Sequence, residues 1–364
     1  MPASRLVVKV GSSLLVGEAG LRVAWLDSLA ADLAAWRARG RELIVVTSGS
    51  IALGRAGLGL PPRGTRLEEK QAAAAVGQIG LAEAYRATLQ RYGLKAAQLL
   101  LTLEDTENRR RYLNARATLQ TLLRLGAVPV VNENDTVATA EIRFGDNDRL
   151  SARVALMAGA VELILLSDVD GLYTRDPGRF ANAERIDRVE AITPEILAMA
   201  GGAGSTAGTG GMVSKLAAAK IATGAGCRVT LAPGHDPHPL RRLDEGGPCT
   251  RFAARLSPRR AYKDWLAGSL GPVGVLAIDV GAVRALRRGG SLLPAGVTAV
   301  QGRFERGDPV LVRGPDGHDL AKGLSAYDAD DARRIAGRRT EEIEALLGWR
   351  GRDELIHRDD LVLL

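Results

Sequence analysis

Five continuous apolar runs, separated by helix-patterned segments, constrain what the first half of this 364-residue chain can become. They are RLVVKV (5–10), the start of ELIVVTSGS (42–50), KAAQLLLT (95–102), AVPVV (127–131) and VELILLSD (161–168). Each has strand length and lacks a solvent-facing alternation, as expected of strands covered on both faces. Between them, residues 21–39 set Val23, Leu26, Leu29, Ala30, Leu33 and Trp36 at helical spacing, and 67–92, 112–125 and 149–158 also read as helices. Alternation of this kind predicts an α/β fold, a mainly parallel sheet sandwiched by helices. The 46% hydrophobic and 4% aromatic content, rich in Ala, Leu, Val and Gly, suits close packing of helices on a sheet.

The texture changes after residue 257. PRRAYKDWLAGSL (258–270) reads as a connector, and GVLAIDVGAVRAL, SLLPAGVTAVQGRF, GDPVLVRGPDGHDLAKGLSAY and DELIHRDDLVLL read as short strands with Gly/Pro/Asp turns. One or two helices are expected near 328–347. The expected plan is a domain at 1–257, a linker at 258–270 and a small β-rich domain at 271–364.

In an open parallel sheet, ligands bind beyond the carboxyl ends of the strands. The unusual loops all follow strands: GSS, TSGS, NEND and SDVDG. They should converge on one edge. There is no GxxxxGK[ST] sequence and no GxGxxG before a suitable helix, which excludes a P-loop and an obvious dinucleotide fingerprint. Lysine is scarce, at seven residues against forty-two arginines, so each lysine position carries weight. Lys9 interrupts an apolar strand beside a Gly-Ser turn. It is either a charge aimed at phosphate or an edge lysine reaching solvent. GTGGMVSK (208–215) is either a linker or a phosphate-approaching loop that delivers Lys215 to a helix start. His235 and His238 stand three apart, but the prolines around them prevent the helix that a metal-binding pair would use.

Taken together and in order, KVGSS, VTSGS, NEND, GDND, SDVDGLYTRDP and GTGGMVSK resemble the bacterial glutamate 5-kinases of the amino-acid kinase family, and the C-terminal block resembles their PUA domain. One departure is EGGPCTRF, where Cys249 stands in place of the glycine usual before this threonine. The resemblance implies transfer of the γ-phosphoryl group of ATP to the γ-carboxylate of L-glutamate, the first step of proline biosynthesis, with Mg²⁺ bridging the phosphates. It implies Lys9 and Lys215 as catalytic cations oriented by Asp148. It implies Ser48, Asp135 and Asn147 as glutamate-binding residues. For the nucleotide it implies Lys9, Ser167, Asp168, Thr209, Gly210, Gly211, Met212, Val213, Ser214 and Lys215. The chemistry is consistent: a carboxylate nucleophile with a pKa near ~4.3 is already ionised at neutral pH and needs no general base. The transfer needs positioning and charge neutralisation. The resemblance further suggests feedback by L-proline and a homo-oligomer.

Competing expectations are another amino-acid kinase, acting on aspartate or acetylglutamate, and an RNA-binding or RNA-modifying PUA protein. The NEND/GDND pair argues against the first. Against the second, residues 271–364 hold 14 Lys+Arg and 15 Asp+Glu, so the basic excess behind the +7 net charge lies elsewhere. Two well-separated cysteines, an N-terminus broken by Lys9 and the lack of an 18-residue apolar span lead us to expect a cytoplasmic protein without membrane helices.

Overall fold

The computed structural model describes residues 4–61, 66–138, 146–200, 211–268 and 271–364. The expected nucleotide residues Thr209 and Gly210 lie outside the described residues. Contacts divide the chain into two units, Met1–Pro258 and Arg259–Leu364. Among the described residues, no helix is long and apolar enough to cross a membrane.

The first unit is built on an eight-stranded sheet. Its order is Arg188–Val189, Thr250–Phe252, Arg228–Pro233, Glu162–Ser167, Arg5–Val10, Glu42–Val46, Ala127–Glu133 and Lys95–Leu101. The six strands from Arg228–Pro233 to Lys95–Leu101 are mutually parallel. Thr250–Phe252 runs antiparallel to Arg228–Pro233 and parallel to Arg188–Val189. The α/β expectation of a mainly parallel, helix-covered sheet therefore holds.

Strand periodicity sorts side chains between two cores. Leu6, Val8, Val10, Leu43, Val45, Ile164 and Leu166 pack on one face, with Trp25, Leu29, Leu33 and Leu81 from the helices. Val7, Ile44, Val46, Leu163, Leu165 and Leu231 pack on the other, with Leu150, Ala155, Leu216 and Ala219. Lys9 has the parity of Val7. It therefore emerges on the face covered by helices Asp146–Ala158 and Met212–Gly224.

Helices Ser50–Leu58 and Leu67–Arg91 cross at two glycines. A β-carbon at Gly54 would lie 1.7 Å from the Ala73 carbonyl oxygen, and one at Gly77 would lie 1.8 Å from that of Ser50. Only glycine permits this approach.

The second unit has a five-stranded sheet in the order Val297–Gly302, Gly274–Ile278, Pro309–Arg313, Asp319–Leu324 and Leu361–Leu363. Two local expectations fail here. Residues 258–268, read as connector, form a helix: the Tyr262 hydroxyl donates to Asp360 Oδ1 at 3.0 Å, and Lys322 Nζ donates to the Ala267 carbonyl at 3.1 Å. Within GVLAIDVGAVRAL, only Gly274–Ile278 is strand. Asp279 then accepts from the Ala282 amide at 2.7 Å and starts helix Val280–Arg287. In the first unit, the helix expected from residue 112 opens earlier, at Arg109, capped by Asn108.

Candidate active site

Parallel register brings the strand ends together. Lys9 pairs with both Val46 and Leu165, Val46 with Val131, and Ser167 with Pro233. The GSS, TSGS, NEND and SDVDG turns consequently leave the same sheet edge.

On the Lys9 face, Asp148 sits between two cations. Its Oδ1 is 2.7 Å from Lys9 Nζ, and its Oδ2 is 3.5 Å from Lys215 Nζ. The Asp148 side chain is 1% exposed, against 9% for Lys9 and 12% for Lys215. The Ser214 hydroxyl also donates to Asp148 Oδ2, at 2.7 Å. Burial by itself raises the Asp148 pKa, but Lys9, Lys215 and Ser214 more than offset it, leaving it below its ordinary value. The lysine that breaks an apolar strand thus has a buried counter-charge and does not run to solvent. Three residues of different elements converge because strand parity sends Lys9 toward the helices that begin near Asp148 and Lys215.

A second polar group forms at the ends of Glu42–Val46 and Ala127–Glu133. Gly49, at φ 111°, turns the chain into helix Ser50–Leu58, leaving Ser48 half-buried at the turn. The Ser50 hydroxyl donates to Asp135 Oδ2 at 3.2 Å. Asn132 Nδ2 lies 2.8 Å from Gln78 Oε1 and 3.4 Å from Ser50 Oγ. Asn132 and Asp135 are 1% and 7% exposed. Among the described residues, Asn132 Oδ1 and Asn147 Oδ1 are buried without a hydrogen-bond partner, two acceptors in want of donors.

A cleft of about 1250 Å³ opens beside the strand ends. Asp168, Gly211, Met212 and Val213 line it, together with residues 170–177 and Arg179, and with Pro233, His235, Asp236, Pro239 and Arg242. Ser167, which precedes Asp168, is buried and does not line the cleft, and its hydroxyl donates to Asp168 Oδ1 at 2.9 Å.

The expected residues therefore fall into three places. Lys9, Asp148, Lys215 and Ser214 form one cluster, with Asn147 next to Asp148 on the same helix, and Asp135 belongs to a second with Ser50, two residues after Ser48. Asp168 and Gly211–Val213 line the cleft, and Ser167 is buried against Asp168. Ser214, expected on the nucleotide, gives its hydroxyl to Asp148. Sequence inspection missed Ser50, Gln78 and Asn132. Asn132 lay inside the NEND motif and Ser50 closed the VTSGS motif, whereas Gln78 carried no local signal.

The model of the amino acid kinase family matches residues 4–232, and that of the PUA domain matches residues 274–347. The glutamate 5-kinase of Paramagnetospirillum magneticum is 60% identical over 363 residues, covering 99% of this chain and 98% of that protein. Those of Rhodopseudomonas palustris strain BisB5 and Rhodospirillum rubrum are each 59% identical. The alignments span 99% of this chain and 96% of the first protein, and 98% of this chain and 96% of the second.

Proposed function

The chain belongs to the amino acid kinase family and carries a PUA domain behind it, and on that premise we propose that it transfers the γ-phosphoryl group of ATP to the γ-carboxylate of L-glutamate, as the first step of proline biosynthesis. One observation carries the proposal: a buried carboxylate holds two lysines that reach it from different elements, beside an open cleft.

In phosphoryl transfer most of the barrier lies in aligning two anions and stabilising the charge that spreads over the moving group. ATP occupies the cleft between Asp168 and Gly211–Val213, with its γ-phosphate toward Lys9 and Lys215. The lysines neutralise the phosphoryl oxygens as compact point charges. Asp148 holds both ammonium groups at a fixed separation before ATP arrives, so little reorganisation remains for the chemical step. Glutamate sits at the neighbouring polar group. Asp135 accepts from its ammonium, while Ser48 and the Asn147 amide donate to its carboxylates. The unpartnered Asn147 Oδ1 supplies a further acceptor. Its γ-carboxylate is ionised already, so no side chain has to take a proton.

Mg²⁺ belongs to the ATP phosphates in this scheme. Bound with ATP, it would supply charge neutralisation on the phosphates beside Lys9 and Lys215. Among the described residues, no group of three or more His, Cys, Asp and Glu gathers to hold an ion. The proposal also includes competition by L-proline at the glutamate site and a homo-oligomeric state, checked by inhibition kinetics and by light scattering.

The direct test incubates the full chain with ATP, Mg²⁺ and L-glutamate, with hydroxylamine to trap the acyl phosphate. Hydroxamate should form with glutamate and vanish on chelation with EDTA. Product with aspartate or acetylglutamate but none with glutamate would overturn the assignment.

A further inference from the structure

Helix Val23–Ala38 is remote from the lysines, yet one stripe of it is polar and buried. Trp25, Ser28, Asp32 and Trp36 follow helical spacing and are 3%, 7%, 3% and 3% exposed. All four grip one segment, residues 234–244. Trp25 Nε1 donates to the Gly234 carbonyl at 2.6 Å and to that of Asp236 at 3.2 Å. Ser28 Oγ accepts from the His238 amide at 3.0 Å. Asp32 Oδ2 accepts from the amides of Leu240 and Arg241 at 3.0 and 3.1 Å, and its Oδ1 is 2.9 Å from His238 Nδ1. Trp36 Nε1 donates to Asp244 Oδ2 at 2.7 Å.

The gripped segment leaves the end of strand Arg228–Pro233 and forms a wall of the cleft through His235, Asp236, Pro239 and Arg242. Its backbone is held in a costly conformation. Among the described residues, His238 is the one non-glycine with positive φ, at 58°. Such a conformation persists where its surroundings over-determine it, and strain of this kind clusters at ligand-clamping sites. Here the surroundings are Ser28 on the His238 amide and Asp32 on its ring. Gly234 tightens the start of the segment, since a β-carbon there would lie 2.5 Å from Leu14 Cδ1.

We propose that Asp32 is a positioning residue for nucleotide binding: from behind the wall, together with Ser28, it fixes the 234–244 segment that closes one side of the cleft. This extends the function proposed above and rests on its placement of ATP in the cleft. Asp32 is not among the residues that line the cleft, so its effect on ATP runs through the wall. The glutamate-binding group and the Lys9–Asp148–Lys215 cluster stand on other strand ends, so the effect should be confined to the nucleotide.

The test titrates the full chain with ATP by calorimetry and measures steady-state kinetics. Asp32→Asn removes the charge, and whichever way its amide turns, an NH₂ replaces one of the two oxygens that now meet the Leu240 and Arg241 amides or the His238 ring. It should weaken ATP binding about tenfold, the equivalent of one charge-assisted hydrogen bond, and Ser28→Ala about threefold. In both, kcat and the KM for glutamate should stay within about twofold, because neither interaction serves the transition state. Leu29→Ala, a buried apolar truncation on the same helix, should lower thermal stability and leave ATP affinity unchanged. Unchanged ATP affinity in a folded Asp32→Asn variant would overturn the inference, as would a parallel rise in the KM for glutamate or an equal loss in Leu29→Ala. If Asp32→Asn does not fold, Ser28→Ala decides in the same way. An unaltered chain that binds no ATP overturns both proposals. One that binds ATP without phosphorylating glutamate sinks only the choice of substrate.

Discussion

Replacing Asp148 by Asn removes the one carboxylate shared by two buried lysines. Its side chain is 1% exposed, with Lys9 at 2.7 Å and Lys215 at 3.5 Å. Removing one partner of a buried ion pair leaves an uncompensated charge and costs about 3–5 kcal/mol. Bound ATP brings its own negative charge to the lysines, so the loss should be largest without ligand. Differential scanning calorimetry of the unliganded variant should show the first unit melting about 6–10 °C lower, with ATP recovering more of the stability than it adds to the unaltered chain. Catalysis should suffer differently. The lysines remain, so the KM for ATP should not rise. Their separation is no longer fixed, and a loss of ~3–4 kcal/mol in transition-state stabilisation would lower kcat about 10²–10³-fold. A kcat within tenfold of the parent, or a KM for ATP that rises while kcat holds, would refute the orienting role.

Other outcomes follow from the same geometry. The folded Asp148 pKa is depressed. Its contribution is therefore present above the unfolded value, near ~3.9, and lost as pH falls through the folded value. Acid melting from pH ~5 to ~3 should consequently be steeper in the unaltered chain than in Asp148→Asn. Lys215→Ala should lower kcat at least about 10²-fold with the KM for glutamate within about twofold, whereas Asp135→Ala should raise that KM with a smaller effect on kcat; matching losses in both would contradict the assigned roles. Gly77→Ala forces a β-carbon to within 1.8 Å of the Ser50 carbonyl, so the helices must part. Because Ser50 and Gln78 flank that contact, the KM for glutamate should rise along with a thermal destabilisation of roughly 1–3 kcal/mol.

What could be read from sequence divides along physical lines. Lys9 was visible because a charge inside a buried strand is costly unless paired, and Asp148 and Lys215 were visible through loops whose composition exceeds what a turn needs. Ser50 showed only as the last residue of VTSGS and Gln78 not at all, because their meeting with Asn132 and Asp135 is set by how two helices cross at Gly54 and Gly77, which no local pattern encodes. Asp32 was hidden for the opposite reason. One acid on an amphipathic helix reads as solvent-facing, and only the fold shows the segment 206 residues away that His238 shares with it. Helix Val280–Arg287 was misread because a short apolar run following a strand has no length from which to tell one periodicity from the other.

The helices that bring Asp148 and Lys215 together carry alanines where they are buried: Ala152 and Ala155 on one, Ala218, Ala219 and Ala222 on the other, each 0% exposed. The two helices share one core with the sheet, so an added methyl or ethyl group at these positions has no free space to enter, and a shift of either helix would change the ammonium–carboxylate spacing with every polar residue intact. If Asp148 and Lys215 act as proposed, the catalytic rate of such a chain would be adjustable through a seam with no chemistry of its own. Variants that accumulate in that seam would look conservative in sequence while acting as graded controls on turnover.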